Sequence, residues 1–375
     1  MKNTLLVIIV IASIIVLGSC NGCNQSSKSI VIIGILFPMT GDAGEYGMKG
    51  RKAIELAVEQ INNSGGVNGK NVEANFEDSK ADPSTGVTAI QKMISVDKVS
   101  AVIGDIVSSV SIPAAVVAEK NKVVMIAPTS SAPALTNAGV FIYRVWPSDL
   151  LEGSSAGNFA KQKGFKKAVI LHLNNDYGNE IAEIFKNNFE SETQKVVGNE
   201  AYDAKAKNYR GMLTKIKSFN PDVIYIAGYY EDTGELLKEA KELGINVQFI
   251  GATAIEDNKF LELAGKNAEG IVYPLATGFD AQSQDTTTKQ FVDAFKKKFN
   301  YEPGWVESHC YDAFMLIVNA MKKTGKTDGE SIRQYLDSMG SYSGVTGAIK
   351  FDSNGDVTKP VIFKTVRNGK FLVLP

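Results

Sequence analysis

The chain is poor in the side chains that most often do chemistry. Of its 375 residues only 3 are cysteine, 2 histidine and 2 tryptophan. Cys20 and Cys23 stand close together near the start, which leaves Cys310 without a partner and excludes a disulfide framework. His172 has Asp176 nearby, but no third ligand stands at a supporting spacing, so no metal is expected, and no cofactor either. A charge excess of one sign is also missing: 40 Lys and Arg face 41 Asp and Glu, a formal net charge of −1. That balance argues against nucleic acid and against a polybasic membrane contact. Long apolar runs are equally scarce. The run Leu5 to Leu17 carries no charge and is too short for a comfortable transmembrane helix.

What that run does fit is export. Lys2 precedes it and Gly18-Ser19-Cys20 follows, the order of a secretory signal over residues 1–19. Leu17-Gly18-Ser19-Cys20 is similar to a bacterial lipobox, which makes Cys20 the expected lipidation site; ordinary cleavage beside an incidental cysteine is the alternative. Residues 20–29 are polar and aperiodic, as a tether would be. The expected address is extracytoplasmic, at a membrane reached through the lipid.

From Ile30 onward, apolar runs of strand length alternate with amphipathic helices. Ile30 to Leu36 reads as a strand, and Ala53, Ile54, Ala57, Val58 and Ile61 form the stripe of the first helix. The alternation continues to Phe141–Val145 and restarts after Pro147, through strands such as Ala168–Leu173 and Asp222–Ala227. Such β-α repetition predicts an α/β protein with doubly wound parallel sheets. The length beyond the tether exceeds what one core usually serves, so two similar lobes are expected.

The stretch Ala101 to Leu135 repeats one pattern. Two apolar strands, Ala101–Gly104 and Val123–Ala127, stop abruptly and hydroxyl residues follow. Ser108, Ser109 and Ser111 come after the first, and Thr129, Ser130 and Ser131 after the second. Parallel sheets bind ligands at the carboxyl ends of their strands, where helix N-termini favour an anion. Hydroxyls there suit a small carboxylate. Their other reading is as ordinary N-caps and turn formers.

Three motifs point elsewhere without support. Gly153-Ser154-Ser155-Ala156-Gly157 matches the G-x-S-x-G elbow of α/β hydrolases, but no strand runs into it and neither histidine is paired with Ser155 by any pattern. The loop Thr40 to Gly47 lacks phosphate-binding spacing and is better read as presenting Tyr46 to a cleft. Asp352 to Asp356 lacks the glycine position and terminal Glu of a calcium loop, so a hairpin turn is expected. Asp176 is expected to cap a helix, with Tyr177 and Tyr229 at a carboxyl edge facing the other lobe.

Several long motifs in order carry a resemblance over almost the whole chain after the tether: Ile33 to Gly41, Ile61 to Gly69, Ala127 to Pro133, Asp176-Tyr177-Gly178 and Asp222 to Tyr229. The sequence resembles type I periplasmic binding proteins of ABC importers, the leucine/isoleucine/valine-binding family. The resemblance implies two lobes joined by a three-segment hinge, with crossovers near Pro147, Ala276 and Gly344. The N-terminal lobe would comprise 30–147 plus 277–344, and the C-terminal lobe 148–276 plus 345–375. It implies carboxylate contacts at Ser108, Thr129 and Ser131, and aromatic contacts at Tyr46, Tyr177 and Tyr229.

One position departs from the pattern. Where branched-chain binders carry an acid for the ligand ammonium, this chain has Thr253; Glu256, Asp257, Glu231 and Asp232 are the nearby substitutes. The family's disulfide is absent as well, since Ser79 and Val107 occupy the matching places. The implied protein is a monomeric binder without catalytic activity, delivering an amino acid of branched-chain type to an ABC permease. Amine-free aromatic or aliphatic acids, amides and a sensor role remain as alternatives.

Cys20→Ala is expected to release the protein from the membrane into the soluble extracytoplasmic fraction. Fractionation showing undiminished membrane association would refute Cys20 as the anchor.

Overall fold

The computed structural model describes residues 30–374 apart from 205 and 207; the signal 1–19, the tether 20–29 and Cys20 lie outside the described residues. The first strands and helices alternate up to β4, after which only a 3-10 turn, Pro133–Asn137, precedes β5: β1 Val31–Phe37, α1 Gly44–Asn63, β2 Val72–Asp78, α2 Pro83–Ser95, β3 Ala101–Gly104, α3 Ser108–Lys120, β4 Met125–Ala127 and β5 Ile142–Arg144. They form a five-stranded sheet in the order β2-β1-β3-β4-β5, parallel throughout. Continuous apolar strands such as VIIGILF follow from this, because helices cover both faces and leave no wet side for a polar residue.

The second set comprises α4 Asp149–Gln162, β6 Lys167–Leu173, α5 Asp176–Phe189, β7 Lys195–Tyr202, α6 Arg210–Lys217, β8 Val223–Ala227, α7 Tyr230–Glu242, β9 Gln248–Gly251, α8 Asn258–Ala264 and β10 Val272–Leu275. After it, α9 Thr286–Phe299 and α10 Trp305–Thr324 return to pack on α1, and α11 Gly329–Ser338 packs on α10. A small hairpin, β11 Tyr342–Gly344 and β12 Gly347–Ile349, precedes β13 Ile362–Arg367 and β14 Lys370–Val373. The second sheet has seven strands, β14-β13-β10-β9-β8-β6-β7. The doubly wound α/β architecture is as expected, with an addition: β13 runs antiparallel to β10, and β14 to β13. A two-residue turn, Asn368-Gly369, both at positive φ, connects that last pair, and a connection so short permits only antiparallel pairing.

Two local expectations change. Asn175, not Asp176, caps α5 by accepting from Gly178 N at 2.8 Å, and Asp176 is the first helical residue. Asp352 to Asp356 is a turn organised by one carboxylate, whose Oδ1 accepts from Asn354 N at 2.8 Å and Asp356 N at 3.0 Å. It is not a hairpin, since β12 ends at Ile349 and β13 begins only at Ile362. The glycines of the G-x-S-x-G match lie inside α4, where Gly153 meets Ile181 and Ile184 and Gly157 meets the backbone of Phe185. They are small so that two helices can approach; Ser155 Oγ merely donates to Leu151 O.

The chain crosses between the sheets after β5, after β10 and after the β11–β12 hairpin. The third crossing is pinned by Asp312 of α10, whose carboxylate accepts from Val345 N at 2.8 Å, Thr346 N at 2.9 Å and Thr346 Oγ1 at 2.7 Å. Lys359 Nζ donates to Thr346 O at 2.8 Å and Ala348 O at 3.1 Å. Burial pushes the Asp312 pKa up to about 6, against the opposing pull of these donors and Lys359. A second pin is Arg144, fully buried, which pairs with Asp356 at 2.5 Å and donates to Ser131 O and Ala132 O.

Asp312→Ala strands three buried donors, and is expected to cost about 2–4 kcal/mol of stability. Denaturant unfolding checks it, and a change within error of zero would refute this role for Asp312.

Candidate functional site

The carboxyl ends of both sheets face one cavity, whose empty space is about 440 Å³ with the open solvent at its mouth included. The first sheet contributes its polar end. Ser108 opens α3, and its Oγ accepts from Ser131 N and Ala132 N, each at 3.2 Å. A hydroxyl has two lone pairs and one proton, so with both pairs occupied the proton is left for an incoming oxygen. No side chain caps α3, because its N-cap residue is Val107. The free N–H groups of its first turn therefore add an anion-favouring dipole at the same place. Thr129 Oγ1 donates to Ile106 O at 3.2 Å, and Thr129, Ser131, Ile106 and Val107 line the cavity beside Ser108.

Three expected hydroxyls, Ser109, Ser111 and Ser130, do not line it. Ser130 Oγ turns inward, donating to Asp105 O at 2.9 Å and sharing a 2.6 Å bond with Ser111 Oγ. Ser109 is buried on α3 away from the lining.

Aromatic rings form the rest of the wall. Tyr177 and Tyr229 stack with centroids 5.7 Å apart and planes 8° from parallel. Tyr177 is brought to the cavity by α5, whose start lies so close to β6 that a Cβ on Gly178 would come within 2.1 Å of Leu173 O. Tyr46, on the first turn of α1, meets Tyr229 edge-on at 6.1 Å, and Trp146 and Trp305 lie 5.1 Å apart. Trp146 and Trp305 were not among the sequence candidates. An aromatic residue at a crossing or a helix start reads as core, and only the folded cleft shows which face is open.

The lobes are shut over this wall. The Tyr46 hydroxyl donates to Ala254 O, Trp305 Nε1 donates to Glu256 O at 3.0 Å, and Lys49 pairs with Asp257 at 2.5 Å. All three reach from α1 or α10 to the turn after β9. Thr253 lies in that turn and lines the cavity, its Oγ1 donating to Pro274 O at 2.7 Å.

The acids nearest Thr253 in sequence have other partners. Glu256 accepts from Tyr273 OH at 2.9 Å and pairs with Lys364 outside the aromatic cavity. Asp257 pairs with Lys49 and caps α8, and Asp232 accepts from Tyr209 OH at 3.0 Å. The acid that does line the cavity is Glu152 of α4, buried, with Oε1 accepting from Thr253 N at 2.7 Å. Burial pushes its pKa up to about 7. One turn earlier Asp149 is fully buried, its pKa raised by burial and then by Glu152, and neither of its carboxyl oxygens makes a well-formed hydrogen bond. Sequence reasoning missed Glu152 because an acid in a first turn reads as a dipole complement. A signal existed: Asp149, Glu152, Gly153, Ala156, Gly157 and Ala160 share the buried face, an unusual stripe for two acids.

Neither histidine lines the cavity. His309 Nδ1 lies 2.8 Å from Trp305 O with its pKa lowered to about 3 by burial, and His172 Nδ1 lies 3.1 Å from Leu173 O. Among the described residues no group of three or more His, Cys, Asp or Glu could hold a metal ion.

Residues 31–370 match the family model of the periplasmic binding proteins. The chain is 32% identical over 327 residues to the leucine-, isoleucine-, valine-, threonine- and alanine-binding protein of Pseudomonas aeruginosa, covering 87% of this chain and 86% of that one. Among solved structures, the branched-chain amino acid transporter substrate-binding protein of Streptococcus pneumoniae, in complex with isoleucine, superposes with a TM-score of 0.84 at 28% identity, over 92% of this chain and 99% of that one. A solute-binding protein of an ABC transporter from Rhodopseudomonas palustris, in complex with 3,4-dihydroxybenzoic acid, does so with a TM-score of 0.81 at 25% identity, over 91% and 95%.

The raised carboxyl pKa of Glu152 has a sign. An acid whose folded pKa lies above its unfolded value contributes stability at low pH that is lost as pH rises through the folded value. Between about pH 6.5 and pH 8 Glu152 is expected to lower the melting temperature of the ligand-free protein, against a smaller gain as the unfolded His309 imidazole loses its last protons, and Glu152→Gln is expected to remove that contribution while those of the likewise raised Asp105 and Asp232 remain. Calorimetry showing the same slope of melting temperature against pH in both proteins would remove Glu152 as a source of it.

Proposed function

The chain belongs to the periplasmic binding protein family, in its leucine/isoleucine/valine-binding branch, and on that premise we propose that it is an extracytoplasmic lipoprotein that captures an amino acid of branched-chain type for an ABC permease. The anchor is Cys20, read from Leu17-Gly18-Ser19-Cys20. The protein acts as a monomer built of 30–147 plus 277–344 and 148–276 plus 345–375, closing on its ligand. The observation that carries the reading is the cavity's polarity: hydroxyls and an uncapped helix start at one end, stacked aromatic rings at the other. A carboxylate takes the first end and an apolar side chain the second. Binding that is stronger in the closed arrangement shifts the lobes toward it, which is the signal a permease can read.

A second reading is favoured by one observation. Thr253 offers no charge, and the Rhodopseudomonas palustris relative holds an amine-free aromatic acid. On this reading the aromatic wall would stack on a ring and no ammonium partner would be required.

A thermal-shift panel of amino acids, amides and amine-free carboxylates separates the two. Stabilisation by leucine, isoleucine or valine is expected, and a response to amine-free acids alone would overturn the first reading. In either case Ser108→Ala and Ser131→Ala are expected to weaken binding by roughly ten- to a hundredfold, since each removes one hydrogen bond to a charged group. Titration calorimetry with unchanged affinity in both variants would refute the carboxylate site.

A further inference from the structure

We propose that Glu152 is the acceptor for the ligand's ammonium group, reaching from α4 to fill the role for which position 253 has no charge. The inference rests on the amino-acid reading above. Three observations carry it. Thr253 N donates to Glu152 Oε1 at 2.7 Å, so the carboxylate lies one hydrogen bond from the position where an acid is missing. Glu152 lines the cavity together with Ser108 and the tyrosines, so one small ligand can touch both ends. No basic side chain pairs with Glu152 among the described residues, while Glu256 and Asp257 are held by Lys364 and Lys49.

The chemistry follows from burial. A carboxylate out of water needs a cation or keeps its proton. The groups facing Glu152 cannot supply that cation. Asp149 of the same helix is acidic, Tyr177 of α5 and Tyr225 of β8 stay neutral under burial, and the 253 turn offers an N–H and the Thr253 hydroxyl, neither of them charged. Arg144 of β5 and Glu180 of α5 act on Asp149, with Arg144 committed to Asp356 and two carbonyls. An entering ammonium would be the first full positive charge beside Glu152. It would be held from the second lobe while Ser108 holds the carboxylate from the first, so an α-amino acid ties the lobes through both of its charges.

Ionisation is then coupled to binding. Near neutral pH part of the free protein carries a proton on Glu152, and a bound ammonium favours its loss. Calorimetry of wild-type protein with leucine, in two buffers of different ionisation enthalpy near neutral pH, is expected to report release of a fraction of a proton. Glu152→Gln is expected to abolish that release and weaken leucine by roughly thirty- to a thousandfold, leaving 4-methylpentanoate, the same skeleton without the amine, bound as well as or better than by wild type.

Leucine bound by E152Q with wild-type affinity, or by wild type without proton release, overturns the assignment of Glu152 alone. Wild-type protein that binds 4-methylpentanoate and no amino acid overturns the amino-acid reading as well. The proton count needs no variant and stands even where E152Q does not fold.

Discussion

A charge closed into this cleft must meet a counter-charge there or surrender its ionised form, and most of the molecule's polar architecture can be understood from that constraint. Within the closed lobes, water no longer screens or solvates, so several buried charges are held by specific partners. Asp312 has three donors at the third crossing, Arg144 has Asp356 and two carbonyls, and Asp257 has Lys49. Asp149 and Glu152 form no ion pair with a basic side chain among the described residues, and burial holds both carboxyl groups above their ordinary range. A buried acid without a counter-charge at a cavity wall, as Glu152 is, marks a candidate functional site.

The same constraint explains how the cleft closes. The contacts across it come mainly from α1 and α10 to the single turn after β9, through Tyr46, Lys49 and Trp305. That turn also carries Thr253, whose N–H holds Glu152. Closure and the position of the acid are thus connected through a few residues of backbone. A ligand that bridges Ser108 and Glu152 favours the closed arrangement, because an open cleft separates the two lobes that carry them. Asp312 and Lys359 hold the third crossing through its backbone groups rather than by packing alone.

The aromatic wall supplies selectivity of another kind. Tyr177 and Tyr229 are stacked nearly parallel, and Tyr46 stands edge-on to Tyr229. Rings fixed by neighbours present a preformed apolar surface, which reduces the ordering cost of binding an apolar side chain. Trp146 and Trp305 complete that surface from a crossing and a helix start, two places where the chain is already fixed by the fold.

The alternation of apolar runs and amphipathic stripes was enough to determine the doubly wound α/β class, because a parallel sheet covered on both faces leaves its period in the sequence. The strand-end hydroxyls were legible for a similar reason: a strand that stops at a turn of serines brings them to the carboxyl edge whatever else folds around it. Which hydroxyl faces the cavity was not legible. Ser108 and Ser109 are adjacent, and Ser130 and Ser131 are adjacent, yet helix rotation and turn geometry send one of each pair to the lining and the other inward. The stripe that buries Glu152 was legible, but that residue's role was not, for a stronger reason. Glu152 stands 101 residues from Thr253, and its meaning depends on the backbone N–H it meets there. Local periodicity decides which elements form, because it depends on near neighbours alone. The partner of a buried charge comes from a distant part of the chain, and only the tertiary structure could bring it there.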